Sequence, residues 1–187
     1  MGFFTRCGRD RWKYLKPCIL RKKVMTNDQS ILIRNNIKTG DAEEIISLHG
    51  IVYAQEYGFD KTFEQYVAKP LREFAKSHTQ REKIWIVDQR DRIKGCIAVV
   101  KSDDAKAQLR WFLVHPHLRG KGVGTKLVNE AIQFAKDNNY TSLFLWTVST
   151  LKAANKIYTT TGFQLTEEKA HMIWGKYLIE QRYELMF

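Results

Sequence analysis

The sequence contains few of the features that define secreted, metal-binding or membrane proteins. Its 187 residues include three cysteines, and their odd number and spacing match neither a disulfide framework nor a zinc site. No apolar run approaches the ~20 residues that span a bilayer, and the start of the chain lacks a signal-peptide pattern. With 44% hydrophobic residues, the composition is that of a globular protein. We therefore expect a cytoplasmic protein with free thiols, no metal and no membrane partner.

Acidic residues are also scarce, with 20 Asp and Glu against 31 Lys and Arg, which gives a net charge of +11. Residues 1–24 alone carry +7, because they contain eight basic residues and one acidic residue, Asp10. The rest of the chain is only mildly basic, so a nucleic-acid-binding surface on the folded domain is not expected. We expect residues 1–29 to be a basic N-terminal extension and residues 30–187 to form one domain. Aromatic residues interleaved with the basic ones leave an RNA contact by the extension open as an alternative.

Three of the 11 glycines alternate at Gly120, Gly122 and Gly124, between an apolar strand and a helical pattern. Glycine lets the backbone approach a ligand closely, and the start of a helix presents unpaired N–H donors and partial positive charge. Arg119 and Lys121 add full positive charges to the same loop. The segment therefore predicts a site for a phosphate or pyrophosphate, although a tight turn without a ligand would use the same glycines.

The spacing of these residues distinguishes between known phosphate-binding loops. A P-loop requires Gly-Lys-Ser/Thr, but Gly124 is followed by threonine. A dinucleotide fingerprint requires G-x-G-x-x-G early in the chain and an acidic residue downstream, whereas residues 141–147 contain none. The spacing that remains is Arg-x-x-Gly-x-Gly, from Arg119 through Gly122 to Gly124.

A second motif follows the loop. Residues 142–148 are typical of a buried strand, and residues 151–160 of a short helix containing Tyr158. The spacing Ala-x-x-x-Tyr-x-x-x-Gly-Phe then runs from Ala154 to Phe163. Together with the Arg-x-x-Gly-x-Gly loop, this motif resembles the GNAT-type N-acetyltransferases. A tyrosine in this position without the upstream loop would more often be a packed core residue than a catalytic one.

The resemblance implies an enzyme that uses acetyl-CoA as its cosubstrate and in which an amine attacks the thioester directly. Tyr158 would protonate the departing CoA thiolate, and Glu56 is the candidate base for the amine, with Asp60 and His115 as alternatives. The residues implied in cofactor binding are Phe112, Leu113, Val114, Arg119, Gly120, Lys121, Gly122, Val123, Gly124 and Asn155.

Some properties of the site remain open at this point. Many GNAT proteins carry Asn where this chain has Leu151, and Asn155 one turn later could replace that contact. Because of this departure, a catalytically weak CoA-binding sensor or interaction module is the alternative function. Arg110 could bind a substrate carboxylate or pair with a neighbouring acid, and Trp111 and Trp146 fit either core or pocket wall. The acceptor could be a small amine, an amino acid, a polyamine or a protein amine.

Hydrophobic periodicity predicts the order β-α-α-β-β-β-α-β-α-β-β. The resemblance implies a mixed α/β (α+β) GNAT fold with a mostly antiparallel sheet that is splayed between strands four and five. The predicted strands are residues 31–37, 83–88, 93–101, 108–114, 142–148, 163–167 and 179–187. The predicted helices are residues 41–57, capped by Asp41 and ended by Gly58; residues 62–77, bent or interrupted at Pro70; a third from residue 123; and residues 151–160.

A narrower resemblance rests on residues 56–60, 108–114, 144–148 and 180–185. These segments resemble the acetyltransferase domain that bacteria often fuse to MarR-type winged-helix regulators. Only about 30 residues precede the first predicted strand, too few for such a regulator. We therefore expect a stand-alone bacterial form without DNA binding. A homodimer is compatible with the sequence.

Overall fold

The computed structural model describes residues 30–187, so the predictions for residues 1–29 lie outside the described part of the chain. The predicted order of strands and helices is confirmed, with one added 3-10 turn at Pro116–Leu118. The strands are β1 (Leu32–Arg34), β2 (Lys83–Gln89), β3 (Arg92–Lys101), β4 (Lys106–Val114), β5 (Ser142–Val148), β6 (Gln164–Ile173) and β7 (Lys176–Met186). The helices are α1 (Asp41–Tyr57), α2 (Lys61–Lys76), α3 (Val123–Asp137) and α4 (Lys152–Thr160).

One seven-stranded sheet has the order β1-β2-β3-β4-β5-β7-β6, and every neighbouring pair is antiparallel except β4 and β5. The parallel pairing of β4 with β5 extends only from Lys106 opposite Ser142 to Gln108 opposite Phe144. Beyond Gln108 the two strands separate, which confirms the expected splay. From this point to its end at Val114, the edge of β4 that faces β5 has no strand partner among residues 30–187.

Helices cover both faces of the sheet. Leu127 and Ala131 of α3 are fully buried in a core on one face. Ile45 of α1 and Leu71 of α2 are fully buried in a second core on the other face. The gap between β4 and β5 therefore opens between two packed helical layers.

A β-bulge bends β4 where it leaves β5. The pairing of β3 with β4 shifts register between Cys96 and Ala98, and Trp111 on β4 has a left-handed backbone with a φ of 50°. The buried Cys96 thiol donates a hydrogen bond to the Trp111 carbonyl oxygen at 2.9 Å. Bulges increase the local twist of a strand, so this one helps to turn β4 away from β5. No sequence pattern predicts a positive φ at a tryptophan, so this bulge could not be predicted.

The ends of α1 confirm one prediction and correct another. Gly58 ends the helix in the left-handed conformation that was expected, with a φ of 65°. The predicted cap, Asp41, is wrong, because Gly40 occupies the N-cap position and Asp41 is the first helical residue. The Asp41 carboxylate instead accepts hydrogen bonds from the Lys38 backbone N–H at 2.6 Å and from Arg34 at 2.7 Å. These bonds tie the start of α1 to β1.

Two elements differ from their predicted form. Helix α2 continues through Pro70 without interruption, with Val67, Leu71 and Phe74 buried on both sides of the proline. Strand β6 extends to Ile173, well beyond the predicted end at residue 167. Most of β6 is exposed at the edge of the sheet, so its sequence lacks the apolar alternation that marks a half-buried strand.

Candidate functional site

The glycine loop has the geometry of an anion site. Gly120 and Gly122 adopt left-handed backbone conformations with φ of 73° and 77°, and a Cβ at either position would meet nothing within 4 Å. Gly122 is the N-cap of α3 and makes no side-chain cap, so the first N–H donors of the helix lack a side-chain partner. Gly124 is constrained by packing, because a Cβ there would lie 2.9 Å from Ile157 and 3.2 Å from Phe112. Both explanations of these glycines therefore apply: the turn needs them, and space for a ligand lies above them.

A cleft of about 300 Å³, here called the loop cleft, opens from this loop along the free edge of β4. Its volume is at the lower end of the range for small-molecule sites. Eight of the predicted cofactor residues line it: Phe112, Leu113, Val114, Arg119, Gly120, Gly122, Val123 and Gly124. The structure therefore brings together most of the set that the sequence motifs indicated.

Two predicted cofactor residues lie outside the cleft lining. Lys121 is exposed on the loop. Asn155 differs from expectation because its amide is engaged inside the protein, where Nδ2 donates to the Val148 carbonyl oxygen at 3.3 Å and to Gln181 at 3.1 Å. These hydrogen bonds attach α4 to β5 and β7 and favour a structural role for Asn155; its expected contact with the cofactor stays a prediction.

A second cleft, here called the splay cleft, occupies the gap between β4 and β5 on the side of α1 and α2. It is lined by aromatic residues and by two opposite charges, Arg110 and Glu180. Tyr53, Phe112, Leu151 and Ala154 line both clefts. The two clefts therefore meet at these residues, and a ligand extended along the loop cleft would present its end to the splay cleft.

Tyr158 lies in the splay cleft, close to this junction. Its ring packs 5.9 Å from the rings of both Phe112 and Phe163. Its hydroxyl has no hydrogen-bond partner within residues 30–187, although the side chain is only 5% exposed. Burial, together with the nearby Tyr53, raises the pKa of Tyr158 well above its usual value of 10. The phenol therefore stays protonated at neutral pH and can donate a proton or hydrogen bond into the cleft.

The predicted base, Glu56, forms an ion pair with Arg119. Glu56 Oε2 lies 2.8 Å from a guanidinium nitrogen of Arg119, and Arg119 Nε donates to the Val114 carbonyl oxygen at 2.9 Å. Glu56 lines neither cleft. These contacts favour a role for Glu56 in holding Arg119 at the loop over its expected role as general base.

The alternative bases are also placed away from the clefts. Asp60 accepts a hydrogen bond from the Thr62 backbone N–H at 2.9 Å and caps α2. His115 accepts from the His117 backbone N–H at 3.3 Å, and its pKa is lowered, mainly by burial. Neither residue lines the loop cleft or the splay cleft.

Sequence reasoning missed two polar residues of the splay cleft. Glu180, on β7, lies 3.1 Å from His171 Nε2 and lines the cleft together with Tyr158. His49, on α1, donates from Nδ1 to the Ile45 carbonyl oxygen at 2.8 Å, so its Nε2 is an acceptor, and this atom is buried without a partner in the described chain. Burial lowers the pKa of His49 to about 4, which keeps the ring neutral. In the sequence, the burial of His49 is indicated only by its position on the apolar side of α1.

Comparisons with known proteins bear on the family of this chain. The profile of the acetyltransferase (GNAT) family matches residues 48–163. An uncharacterized N-acetyltransferase of Schizosaccharomyces pombe is 33% identical over 125 residues, which cover 64% of this chain and 74% of that protein. The N-acetylaspartate synthetase of Danio rerio is 34% identical over 85 residues, which cover 45% of this chain but only 30% of the fish protein.

The fold of this chain also matches that of solved acetyltransferase structures. The crystal structure of an acetyltransferase from Streptococcus agalactiae aligns with a TM-score of 0.66 at 22% identity, covering 86% of this chain and 100% of that one. Within residues 30–187, no helix is long and apolar enough to cross a membrane, and no group of three His, Cys, Asp or Glu is arranged to hold a metal ion. The expected bacterial source and relationship to MarR-fused domains stay predictions; the two relatives described above are eukaryotic.

Proposed function

This chain belongs to the acetyltransferase (GNAT) family and is an acyl-CoA N-acetyltransferase, and we propose that it transfers the acetyl group of acetyl-CoA to a primary amine by direct attack on the thioester. The observation that carries the proposal is the meeting of two clefts beside Tyr158. One cleft starts at an anion site, and the other offers aromatic and charged groups to a second substrate.

We place acetyl-CoA in the loop cleft because the glycine loop offers N–H donors and the positive charge of Arg119. The pyrophosphate would accept hydrogen bonds from the first N–H groups of α3, in the open space above Gly120 and Gly122, and would face Arg119. The pantetheine arm would follow the unpaired edge of β4 at Phe112, Leu113 and Val114. Backbone N–H groups on this edge can align the arm and polarise the thioester carbonyl.

The chemical step forms a C–N bond and breaks a C–S bond. The amine nitrogen attacks the thioester carbon, the tetrahedral oxyanion collapses, and CoA leaves as a thiolate. We assign Tyr158 as the proton donor to this sulfur, because its phenol is protonated and lies in the splay cleft near the junction. Burial weakens the phenol as an acid, so we assign it a hydrogen bond that strengthens as charge develops on the sulfur. When the Tyr158 proton passes to the thiolate, the proton taken from the amine returns through water to the phenolate and restores the phenol.

The acceptor must lose a proton before or during the attack, because only the neutral amine is nucleophilic. We assign this proton to Glu180, directly or through a water molecule, because it is a carboxylate that shares the splay cleft with Tyr158. Glu56, the base expected from the sequence, stays an alternative that a comparison of variants can test.

The experiment that tests the proposal measures the CoA thiol released when the purified full-length chain is mixed with acetyl-CoA and a panel of primary amines. We expect release to depend on the amine and to match the amount of acetylated product found by mass spectrometry. Binding of acetyl-CoA without amine-dependent release would instead support the CoA-binding sensor, and an absence of binding would contradict both functions.

A further inference from the structure

Arg110 is an arginine in the splay cleft that lacks an acidic partner. It lies on β4, half-buried, and no carboxylate within residues 30–187 comes within 4.0 Å of its guanidinium. Its guanidinium carbon instead lies 5.1 Å from the ring centre of Trp111 and 5.9 Å from that of Tyr66. By contrast, five other arginines of the described chain pair with carboxylates: Arg34, Arg72, Arg92, Arg119 and Arg182.

Trp111 packs beside Arg110 and lines the same cleft with its ring. The residue is 7% exposed, and its indole N–H is covered by protein without a hydrogen-bond partner in the described chain, so Arg110 supplies the accessible donors. The planar guanidinium of Arg110 is suited to a carboxylate, which accepts two parallel hydrogen bonds in one plane.

The rest of the cleft restricts what is attached to this carboxylate. Glu180 lines the same cleft and provides the negative charge that an ammonium group requires. Trp174, from the β6–β7 turn, lies 4.8 Å from Phe63 and 5.5 Å from Tyr66, measured between ring centres. These rings form an apolar wall between α2 and the hairpin. A polyamine would bring a second cation towards Arg110, which is unfavourable.

We propose that the splay cleft takes as its acceptor a hydrophobic α-amino acid, with Arg110 binding the carboxylate and the aromatic wall contacting the side chain. This inference rests on the proposed function, because it names the amine that the enzyme acetylates. The amino group would then lie towards Glu180 and the junction of the two clefts, where the thioester is expected.

The test uses pairs of acceptors that differ only in the carboxylate: phenylalanine and 2-phenylethylamine, tryptophan and tryptamine, leucine and 3-methylbutylamine. In each pair used as substrate, kcat/KM is expected to be about 10- to 100-fold higher for the amino acid, the scale of one charge-assisted pair. Arg110→Gln should reduce this ratio to near one, and Arg110→Lys should restore part of it, because lysine keeps the charge but loses the planar fork. Arg92→Gln is the control, because Arg92 is exposed and pairs with Glu44 away from the cleft.

The outcomes separate this inference from the proposed function. Equal or better acetylation of the amines without a carboxylate would overturn the amino-acid assignment while leaving the acetyltransferase activity intact. The amino-acid assignment would also be overturned if the Arg110→Gln variant kept the parent's preference for amino acids. It would be overturned as well if the enzyme acetylated only amines that do not belong to these pairs. Failure of acetyl-CoA to bind, seen as an unchanged melting temperature, would count against the proposed function itself.

Discussion

At the scale of single residues, Tyr158 shows how burial prepares a side chain for one protonation state. Replacing it by phenylalanine keeps the ring that packs on Phe112 and Phe163 but removes the hydroxyl. We expect Tyr158→Phe to bind acetyl-CoA within a few fold of the parent and to lose about 10- to 1,000-fold in turnover, the scale of one positioned donor. Single-turnover kinetics combined with a binding titration measures both values. Unchanged turnover would mean that Tyr158 is a packing residue and that water protonates the thiolate.

The two carboxylates have contacts that predict different kinetic effects. Glu180→Gln should reduce kcat by about 100- to 10,000-fold, because it removes the proposed base. Glu56→Gln should leave kcat close to that of the parent and raise the KM for acetyl-CoA only a few fold, because it weakens a partly exposed ion pair with Arg119. The measurement is kcat and KM separately for both variants, and the reverse pattern would restore Glu56 as the base.

The burial of His49 leads to a prediction about the stability of the protein. Its folded-state pKa of about 4 lies below the usual 6.5, so between these values the unfolded chain binds a proton that the folded chain does not. The free energy of unfolding should therefore decrease as the pH falls from 6.5 to 4, with a contribution of about 3 kcal/mol from this residue. Denaturant unfolding across this range should show a flatter pH dependence in His49→Leu than in the parent. His117→Gln is the control, because His117 is exposed, and the same pH dependence in both variants would contradict the assignment.

At the scale of elements, the most specific prediction concerns the turn that leads into α3. Gly122→Glu would place a carboxylate in the open space where the pyrophosphate is proposed to bind. We expect this variant to lose the rise in melting temperature that acetyl-CoA gives the parent. Gly40→Glu is a matched control at the start of α1. Gly40 is also a left-handed N-cap, with a φ of 93°, and a Cβ added there would meet nothing within 4 Å.

Both variants carry the same kind of backbone strain, about 1–3 kcal/mol, so a general loss of stability affects both. Only the response to the ligand should differ between them. An acetyl-CoA shift of equal size in Gly122→Glu and Gly40→Glu would show that the loop is not the pyrophosphate site.

The elements that could be predicted are those with a local signal. The apolar run of β5 and the stop at Gly58 are both set by neighbours in the sequence. The bulge at Trp111 depends instead on its pairing with β3, and the capping role expected of Asp41 was replaced by contacts with Arg34. Tertiary contacts decide such positions, so the sequence pattern alone could not place them.

At the scale of the whole molecule, the candidate site depends on segments that are far apart in the chain. The anion loop could be predicted because its glycines and its helix are contiguous. The junction could not, because it joins Tyr53 of α1 to Phe112 of β4 and Leu151 before α4. The acceptor side likewise combines Arg110 with Glu180, which are 70 positions apart in the numbering. The topology of the sheet brings these residues together at the splay.

The most direct test of the account is a crystal structure of the full-length protein with acetyl-CoA. We expect the pyrophosphate on the N–H groups of α3 beside Gly120 and Gly122, and the thioester sulfur within hydrogen-bonding distance of the Tyr158 hydroxyl. The acetyl group should point into the splay cleft, towards Arg110 and Glu180. A pyrophosphate bound away from the glycine loop, or a sulfur remote from Tyr158, would contradict the proposed mechanism.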